Sequence, residues 1–426
     1  MLKKTFAVII SALLICSMAA CGSQSSTQND TSTAQSSTSS TTVEDSTGST
    51  SQTASDSTSQ ASSAASGTSA SVKGVIDTTD LFSTRDLEQT ADTSDAQTIT
   101  ASDGQTVTVS EEGVYVITGT ASNFTVKVEA GKDAKVQLVL DGLNVTNEST
   151  PVIYVVSADK CFITSSGNES SLSVTGSFTS DDNTSTDAVI FSKDDLVFNG
   201  TGTLNISSAQ GNGIACKNDL KITGGTYNIT SALDSIEAKD SISIYDGSIV
   251  INSSKDGLHA EDSEDDTTGC IYIKGGSLKI TAADDAITAV TAVQIDGGTL
   301  ELNAKEGIEG TYIQINGGTI NIYGSDDGIN GAKKSKSYGT PTIEINDGNL
   351  TVAVGQGDTD AIDSNGDIIV NGGTINITAT MSSFDYDGTA TYNGGTIIIN
   401  GEQVDSIPQS MMGGGGGRGN MGGRGF

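Results

Sequence analysis

Several residue types are missing or scarce in this 426-residue chain. Tryptophan is absent, aromatic residues make up 4%, and there are three prolines and one histidine. Lysine and arginine number 21 against 53 aspartates and glutamates, which gives a formal net charge of −32. Such a chain repels phosphate backbones and anionic lipid surfaces, so the charge argues against nucleic acids and anionic membranes as partners. A single histidine also argues against a zinc centre. The acidity instead favours solubility and cation binding.

Cysteine is scarce as well. Of the five cysteines, Cys161, Cys216 and Cys270 lie far apart in the part of the chain that is expected to fold. An odd number at wide spacing gives no disulfide framework, and each of the three stands beside apolar residues. We therefore expect three buried free thiols.

The N-terminus has the features of an export signal. Residues 1–20 combine two early lysines, an apolar run too short to span a bilayer, and small residues before Cys21. This pattern resembles a bacterial lipoprotein signal. It predicts that Cys21 is lipidated and anchors an exported protein to the outer face of the bacterial cell membrane. The alternative is an ordinary secretory signal in which the cysteine occurs by chance.

Two further segments have compositions unsuited to packing. Residues 21–72 consist almost wholly of Ser, Thr, Ala, Gln and Asp, which predicts a disordered spacer. Residues 409–426 are rich in glycine and are expected to form a disordered tail. Residues 73–408 remain as the folded domain, and we expect the protein to be a monomer.

Glycine, in contrast, is abundant and regularly placed. Glycine pairs at 275–276, 297–298 and 317–318 belong to a series that recurs about every 22 residues, with longer steps where loops are inserted. Each pair leads into a short strand with alternating apolar residues, such as "TLELN" or "TINIY", and two shorter apolar stretches complete the unit. Three short strands per repeat predict an all-β fold, a parallel β-helix. Leucine-rich repeats would show helical segments, and β-propellers need about 40 residues per unit.

The regular repeats do not cover the whole folded domain. Residues 97–200 contain strands at looser spacing, which we interpret as irregular early coils and the cap of the same solenoid. Residues 77–92 are the one weak helical candidate, either a capping turn or a short helix. Two insertions, "EDSEDDTTG" after residue 260 and "GAKKSKSYGTP" after residue 330, are expected to leave the same part of the coil and to shape a binding face.

Acidic residues recur at one place in the repeat, in the turn after the glycine-led strand. Equivalent residues of successive coils stack about 4.8 Å apart in a parallel β-helix. Alignment of the repeats therefore predicts two columns of polar side chains. The first column consists of Asn212, Asp234, Asp256, Asp285, Glu306, Asp327 and Asp360. The second column, three residues further on, consists of Glu237, His259, Thr288, Glu309, Asn330 and Asp363.

Stacked carboxylates need neutralisation, because neighbouring charges at this spacing repel by roughly 1–3 kcal/mol at intermediate dielectric. Ca²⁺ takes oxygen ligands at about 2.3–2.6 Å and fits between stacked carboxylates, whereas Mg²⁺ demands a tighter octahedral shell. The alternative is that Asp only supplies turn chemistry, which explains neither doubled acids nor glutamates. The predicted calcium ligands are Asp234, Glu237, Asp256, Asp284, Asp285, Glu306, Glu309, Asp326, Asp327, Asp360 and Asp363.

Taken together, these residues resemble a known family. The stretches "GNGIACKNDLKITGGTYNI", "SSKDGLHAED" and "AADDAI", with the tail "MMGGGGGRG", are similar to clostridial surface lipoproteins described as carbohydrate-binding domain-containing. The resemblance extends over about residues 75–400. It implies a right-handed parallel β-helix, similar to pectate lyases, that binds calcium, cellulose and acidic sugars without established catalysis. Asn212, Ser235 and Ala361 depart from the Asp-Gly-Ile core of the turn, so calcium is not expected at every coil.

Three functions follow as hypotheses. The first is calcium-dependent binding of an acidic polysaccharide such as polygalacturonate, because a bound cation can join two polyanions. The composition favours such a chain over cellulose, although the resemblance allows both. The second is a calcium-dependent polysaccharide lyase in which Lys255 or Lys305 removes a proton, although both lysines are better explained as surface charges that offset local acids. The third is a stalk or adhesin without glycan affinity. Tyrosines such as Tyr272, Tyr312 and Tyr323 could contact sugar, although the alternation of the strands makes some of them packing residues on the coil surface.

Overall fold

The structure is a computed structural model that describes residues 74–180, 184–357 and 359–409. The predicted signal peptide, the lipidation site Cys21, the spacer and all but the first residue of the tail lie outside the described residues. Those assignments and the domain bounds stay predictions. Within the described ranges, no helix is long and apolar enough to cross a membrane.

The described residues form 34 strands that belong to one sheet. The first twelve are β1 (Gln97–Thr100), β2 (Thr106–Val109), β3 (Gly113–Ser122), β4 (Thr125–Glu129), β5 (Lys135–Asn147), β6 (Ile153–Ser157), β7 (Lys160–Ser165), β8 (Ser170–Val174), β9 (Ala188–Ser192), β10 (Asp195–Gly200), β11 (Thr203–Ser208) and β12 (Asn212–Cys216). The next eleven are β13 (Asp219–Ile222), β14 (Thr226–Ser231), β15 (Ile236–Ala238), β16 (Ser241–Ile244), β17 (Ser248–Ser253), β18 (Leu258–Ala260), β19 (Cys270–Ile273), β20 (Ser277–Thr281), β21 (Asp285–Ile295), β22 (Thr299–Ala304) and β23 (Glu306–Ile315). The last eleven are β24 (Thr319–Gly324), β25 (Ile329–Gly331), β26 (Thr342–Ile345), β27 (Asn349–Val354), β28 (Asp360–Ser364), β29 (Asp367–Val370), β30 (Thr374–Thr378), β31 (Ser382–Tyr386), β32 (Ala390–Tyr392), β33 (Thr396–Ile399) and β34 (Glu402–Val404).

Apart from β34, each strand pairs in parallel with the equivalent strand of a neighbouring coil, and three stacks result. We call them the acidic face, the strap face and the polar face. The acidic face comprises β2, β4, β6, β9, β12, β15, β18, the first parts of β21 and β23, β25, β28 and β31. The strap face comprises β1, the first parts of β3 and β5, β7, β10, β13, β16, β19, the last parts of β21 and β23, β26, β29 and β32. The polar face comprises the last parts of β3 and β5, β8, β11, β14, β17, β20, β22, β24, β27, β30 and β33.

This architecture confirms the predicted parallel β-helix. Residues 97–200 form early coils of the same solenoid, as expected, because their strands pair with the later ones in the same three stacks. Among the pairings of described strands, the contact between β33 and β34 is antiparallel and ends the stack.

The core is a ladder of aliphatic side chains inside the coil. Alternation places every second strand residue inward, and the parallel register then stacks Ile236 on Leu258 and Leu258 on Ile287, all of them fully buried. Full burial of such a side chain contributes about 1.5–3 kcal/mol. The apolar alternation of the sequence therefore fixes which side of each strand faces inward.

The glycine pairs turn the chain between two faces. The second glycine of each pair has a positive φ, for example +97° at Gly298 and +98° at Gly318. A Cβ atom at Gly298 would lie 2.9 Å from the carbonyl oxygen of Gly276, which belongs to the previous coil. Both the backbone conformation and the close approach of successive coils explain the glycines.

Residues 74–92, which we call the strap, form turns and bends rather than a helix. Of the two alternatives for residues 77–92, a turn or a short helix, the structure shows turns. The segment runs over the outer side of the strap face, where the Val75 amide donates to Gln314 Oε1 at 3.0 Å and the Ile76 amide donates to Gln294 Oε1 at 2.8 Å. Further along, the Phe82 ring lies 5.3 Å from that of Tyr245. These contacts with the sheet outweigh the weak helical tendency of the segment.

The three described cysteines are free thiols, as expected. Cys161 and Cys216 are buried, and Cys270 is half-buried. Burial raises the pKa of Cys161 to about 12 and that of Cys270 to about 11, so both stay protonated at neutral pH.

The two insertions meet each other, which confirms that they leave the same part of the coil. The Ser335 and Ser337 hydroxyls and the Lys336 amide all donate to Asp266, at 2.7 to 2.9 Å. The second insertion thereby returns along the acidic face and brings Lys334 towards β21 and β23.

Candidate metal centre on the acidic face

The register places both predicted columns on the acidic face. Asp285 pairs with Glu306 in the first column, and Thr288 pairs with Glu309 in the second. The second column runs without a break through Ala215, Glu237, His259, Thr288, Glu309, Asn330, Asp363 and Asp385. The stacking predicted from the repeats is therefore confirmed.

Aspartates in the first column have a structural task. The Asp234 amide donates to the side-chain oxygen of Asn212 at 2.9 Å, and the Asp256 amide donates to Asp234 Oδ1 at 3.1 Å. The Asp285 amide donates to Asp256 Oδ1 at 3.0 Å in the same way. One oxygen of each side chain thus holds the next coil, which is the turn chemistry that Asp and Asn provide.

At the N-terminal end of the columns, basic side chains already neutralise the acids. Lys255 Nζ lies 2.8 Å from Asp234 Oδ2 and 3.5 Å from Asp256 Oδ2, and His259 Nδ1 lies 3.1 Å from Asp234 Oδ2. Burial acts to raise the pKa of Asp234, but the hydrogen bonds and charges of His259 and Lys255 outweigh it and lower that pKa to about 2. Glu237 is paired in the same manner with Lys217, at 3.0 Å.

In the middle of the columns lies a cluster of three carboxylates, Asp285, Glu306 and Glu309, which we call the central cluster. A ligand oxygen from each of the three lies within 4.8 Å of the others. Burial, followed by the charges of Glu309 and Glu306, raises the pKa of Asp285 to about 8. Asp285 is 8% exposed, so solvent does little to offset this repulsion.

Two lysines approach the central cluster from its edges. The Lys334 ammonium donates to Glu309 and to the Thr288 hydroxyl, while Lys305 Nζ stays 3.8 Å from Glu306 and is half-exposed. One close ammonium among three carboxylates leaves excess negative charge at Asp285. The central cluster differs in this respect from the Asp234 and Asp256 pair.

The acidic face continues towards the C-terminus with Asp327, Asp360, Asp363 and Asp385. Burial and the neighbouring carboxylates raise the pKa of Asp327 to about 6 and that of Asp363 to about 7. The Asp360 amide donates to Asp327 Oδ1 at 3.0 Å, so the amide ladder of the first column resumes here.

Doubled acids divide their roles. Asp285 and Asp327 point into the columns, whereas Asp284 and Asp326 are about half-exposed and lie 3.5 Å and 3.9 Å from Lys305 Nζ. Neither Asp284 nor Asp326 joins a group of described residues that could hold a metal ion.

The acidic groups could hold a metal ion, and the donor set suits a hard cation. The described residues contain two such groups: Asp234, Asp256 and His259, and the central cluster. In the first group the pKa of His259 is raised, because the hydrogen bond and charge of Asp234 outweigh the effect of burial. The raised pKa favours the protonated imidazole, which would bring a positive charge into that group. The central cluster offers carboxylate oxygens alone, which are the ligands that calcium takes.

Asn330 adds a further oxygen beside the central cluster. Its Nδ2 donates to Glu306 Oε2 at 2.9 Å, while its Oδ1 is buried without a hydrogen-bond partner among the described residues. Buried polar atoms of this kind are uncommon, and a bound ion explains them. The residues present therefore fit a cation at the central cluster.

Some of these residues were not predicted from the sequence. Lys334 lies in an insertion, and its approach to Glu309 depends on how the two insertions fold together. Asp385 extends the second column by one coil, and the motif "SSFDYDG" contains the signal, an acid at the column position. His259 was expected in the column, but not its contacts with both Asp234 and Asp256.

The two lysines considered as bases both retain their protons. Burial acts to lower the pKa of Lys255, but Asp234 and Asp256 outweigh it and raise that pKa. The acids around Lys305 raise its pKa in the same way against burial. A group that holds its proton at neutral pH is a poor general base.

The sequence of this chain is similar to those of known proteins. The model of a family described as carbohydrate-binding domain-containing protein matches residues 103–359 and 307–406. A protein of the same description from Acetivibrio thermocellus is 35% identical over 123 residues, which make up 28% of this chain and 43% of that protein. The chain thus spans less than half the length of this curated relative.

A solved structure is also similar. It is that of a polysaccharide lyase-like protein from C. thermocellum, determined as a gadolinium derivative. The two sequences are 29% identical, the TM-score is 0.45, and the match covers 52% of this chain and 92% of the other.

Proposed function

Because the chain belongs to the family of carbohydrate-binding domain-containing proteins, we propose that it binds an acidic polysaccharide through calcium held on its acidic face. The substrate class is a polyuronate such as polygalacturonate. The protein has a formal net charge of −32, and such a glycan is also a polyanion. The two repel each other unless a cation joins them.

The central cluster carries this proposal. Asp285, Glu306 and Glu309 bring three carboxylates together in a largely buried place where one ammonium lies close. The raised pKa of Asp285 means that ionisation of this carboxyl group is unfavourable in the folded protein. Such an arrangement is explained if a cation provides the missing charge.

The chain's own residues have distinct parts in the proposed site. Asp285, Glu306 and Glu309 hold the ion, and the Asn330 side-chain oxygen adds to the ligand set. When bound, Ca²⁺ supplies positive charge and open coordination positions for the oxygens of a sugar carboxylate. Lys334 fixes Glu309 and offers a second positive group beside the glycan.

We also propose that the protein works at the cell surface, anchored through lipidated Cys21. Support comes from the apolar run and the small residues before this cysteine. Mass spectrometry of the mature N-terminus checks this, because acyl chains on Cys21 are expected there. An unmodified cysteine, or cleavage elsewhere, would contradict the anchor.

The binding proposal is tested on immobilised polygalacturonate with the domain that starts at residue 73. We expect retention in calcium, release by a chelator, and loss of retention in Asp285→Asn. Asp80→Asn is the matched control, because Asp80 is an exposed residue of the strap outside the columns. Retention that is equal in chelator and in calcium would contradict the proposal, and so would absence of retention in both.

The same preparation distinguishes binding from cleavage. Elimination would create an unsaturated uronate that absorbs in the near ultraviolet. We expect no growth of this absorbance, since Lys255 and Lys305 hold their protons. A steady increase in this absorbance that is lost in Lys255→Ala or Lys305→Ala would show that the protein is a lyase and not only a binding protein.

A further inference from the structure

An ammonium group lies directly on the central cluster. The Lys334 side chain donates hydrogen bonds to Glu309 and, at 2.8 Å, to the Thr288 hydroxyl. The Thr288 hydroxyl in turn donates to Glu309 Oε2 at 3.0 Å. Lys305, the other lysine nearby, stays 3.8 Å from Glu306. Among the described residues, Lys334 is therefore the one lysine that forms a hydrogen bond with a carboxylate of the central cluster.

The backbone of Lys334 is fixed to the previous coil. The amides of Lys334 and Ser335 both donate to the Thr311 hydroxyl, at 3.1 and 3.0 Å. Thr311 is fully buried, and its hydroxyl donates to the Val290 carbonyl oxygen at 2.7 Å. The Ser335 hydroxyl also joins the two insertions, because it donates to the Asp266 carbonyl oxygen at 2.7 Å. The solenoid itself therefore determines where the Lys334 side chain begins.

This ammonium group and a calcium ion would need the same carboxylate. Glu309 Oε2 already accepts hydrogen bonds from Lys334 and Thr288. The side chains of Lys334 and Glu309 are 24% and 15% exposed, so water screens the repulsion between two cations at this place only in part. Lys334 must therefore give up or share Glu309 when an ion binds. The free energy of the lysine contact is then lost from the free energy of ion binding.

One ammonium group compensates the central cluster only in part. Asp234 and Asp256 share Lys255 and His259, so that group has as many basic side chains as acids. The central cluster has three carboxylates and one ammonium group in contact with them. Lys334 thus reduces the repulsion among the carboxylates, while negative charge that attracts a cation remains.

We infer that Lys334 is a tethered competitor for calcium, whose ammonium group occupies Glu309 and weakens the binding of the ion. This inference rests on the proposed function and concerns the regulation of the same site, which then fills only where calcium is abundant. The ammonium group has two opposite effects. It stabilises the fold without calcium, and it opposes the binding of calcium.

Titration calorimetry with calcium alone tests the competition. Lys334→Gln removes the ammonium group, so calcium should bind about tenfold more tightly than to the unmodified protein. Lys334→Arg keeps the positive charge and should bind calcium as weakly as the unmodified protein does. Lys333→Gln is the matched control, because this neighbouring lysine is exposed and its side chain forms no ion pair with any residue that the structure describes.

Thermal melting gives an independent measure of the same ammonium group. In chelator, Lys334→Gln should melt roughly 2–4 °C below Lys333→Gln, because the carboxylates lose the charge that compensates them. In calcium this difference should disappear or reverse, since the ion binds more tightly to Lys334→Gln. A residue that only supports the fold would lower the melting temperature equally in both conditions.

The outcomes separate this inference from the proposed function. Calcium binding that is equal or weaker in Lys334→Gln would overturn the inference and leave the proposed function intact, since Lys334 would then only orient Glu309. Binding to Lys334→Arg as tight as to Lys334→Gln would also overturn it, because charge would not be the cause. Tighter calcium binding in Lys334→Gln without retention of polygalacturonate would overturn the proposed function and leave the competition standing. Absence of calcium binding in every variant would overturn both.

Discussion

Two aspartates of the first column, Asp234 and Asp256, each combine two tasks in one side chain. At Asp234 and Asp256, one oxygen accepts the amide of the next coil and the other meets Lys255 or His259. Asp285 lies in the same column, but the side chains around it are mostly acidic. The charge of an aspartate is therefore neutralised at one coil and repelled by neighbouring carboxylates at another, depending on the side chains around it.

The first prediction concerns pH and the metal-free protein. The pKa of Asp285 is about 3.9 in an unfolded chain and about 8 in the fold, so the folded state binds more protons between these values. Stability must then fall as pH rises from about 5 to 8, and Asp327, Asp363 and His259 shift in the same direction. We expect the melting temperature in chelator to decrease over this range.

Asp285→Asn provides the variant for this measurement. It removes the most strongly shifted acid, so we expect a flatter pH dependence and a melting temperature at pH 8 that is about 2–6 °C higher in chelator. Asp80→Asn should behave like the unmodified protein. A melting temperature that rises with pH in chelator would show that repulsion between the acids of the columns does not destabilise the fold.

At the scale of the elements, the coil depends on turns that admit a close approach of successive backbones. Gly298 shows this most clearly, because its positive φ and its distance from Gly276 both exclude a side chain. The strap is a second device at this scale. It ties the start of the described chain to coils that are more than 200 residues away in sequence, through amides that donate to Gln294 and Gln314.

Gly298→Ala is expected to destabilise the domain by about 1–3 kcal/mol, since alanine is strained at this φ and its methyl group meets a carbonyl oxygen. Thermal melting in calcium measures the effect. Gly131→Ala is the matched control, because a Cβ atom at Gly131 meets nothing within 4 Å. Equal losses in the two variants would mean that the close approach at Gly298 has no energetic consequence.

Asp86 is expected to hold the strap. Its buried carboxylate lies 3.1 Å from Lys160 Nζ and 3.8 Å from Lys221 Nζ and accepts the Ser83 amide. Asp86→Ala leaves two lysines without their partner, which costs about 3–5 kcal/mol when such a pair is buried. We expect the strap to detach and trypsin to cleave faster after Arg85. The exposed acid Asp92 gives the control Asp92→Ala, and unchanged cleavage in Asp86→Ala would contradict this role.

At the scale of the whole molecule, the protein is a one-dimensional stack with a large negative charge. Each coil contacts the coils before and after it, so a repulsion between neighbouring coils acts directly on stability. The acidic face lowers this repulsion with Lys255, His259 and Lys334 at some coils and leaves it at others. Cation binding should therefore stabilise the solenoid as well as prepare it for a glycan.

We expect calcium to raise the melting temperature of the domain, because an ion that binds the folded state alone stabilises it by mass action. The rise should be smaller in magnesium, which demands an octahedral shell and gives up its water reluctantly. Asp285→Asn should lose most of the calcium effect. Superimposable melting curves in chelator and in millimolar calcium would contradict a metal site.

The sequence by itself determined the repeating part of this protein. Alternating apolar residues and glycine pairs are local signals, and their period fixes a stack of coils without any knowledge of distant contacts. Once the stack is known, alignment of the repeats gives the neighbours of Asp285 or Thr288, because parallel register carries each position onto its equivalent one coil later. The columns were therefore predictable residue by residue.

The tertiary structure alone decided which carboxylates are neutralised and what covers each face. Lys334 reaches Glu309 because two insertions fold against each other, and Asp284 turns to solvent although Asp285 beside it is buried. The strap also forms turns that contact the sheet instead of a helix. No local sequence pattern predicts these contacts. Such contacts join residues far apart in sequence and outside the repeat. The period of the sequence therefore holds no information about them, and only the folded chain brings them together.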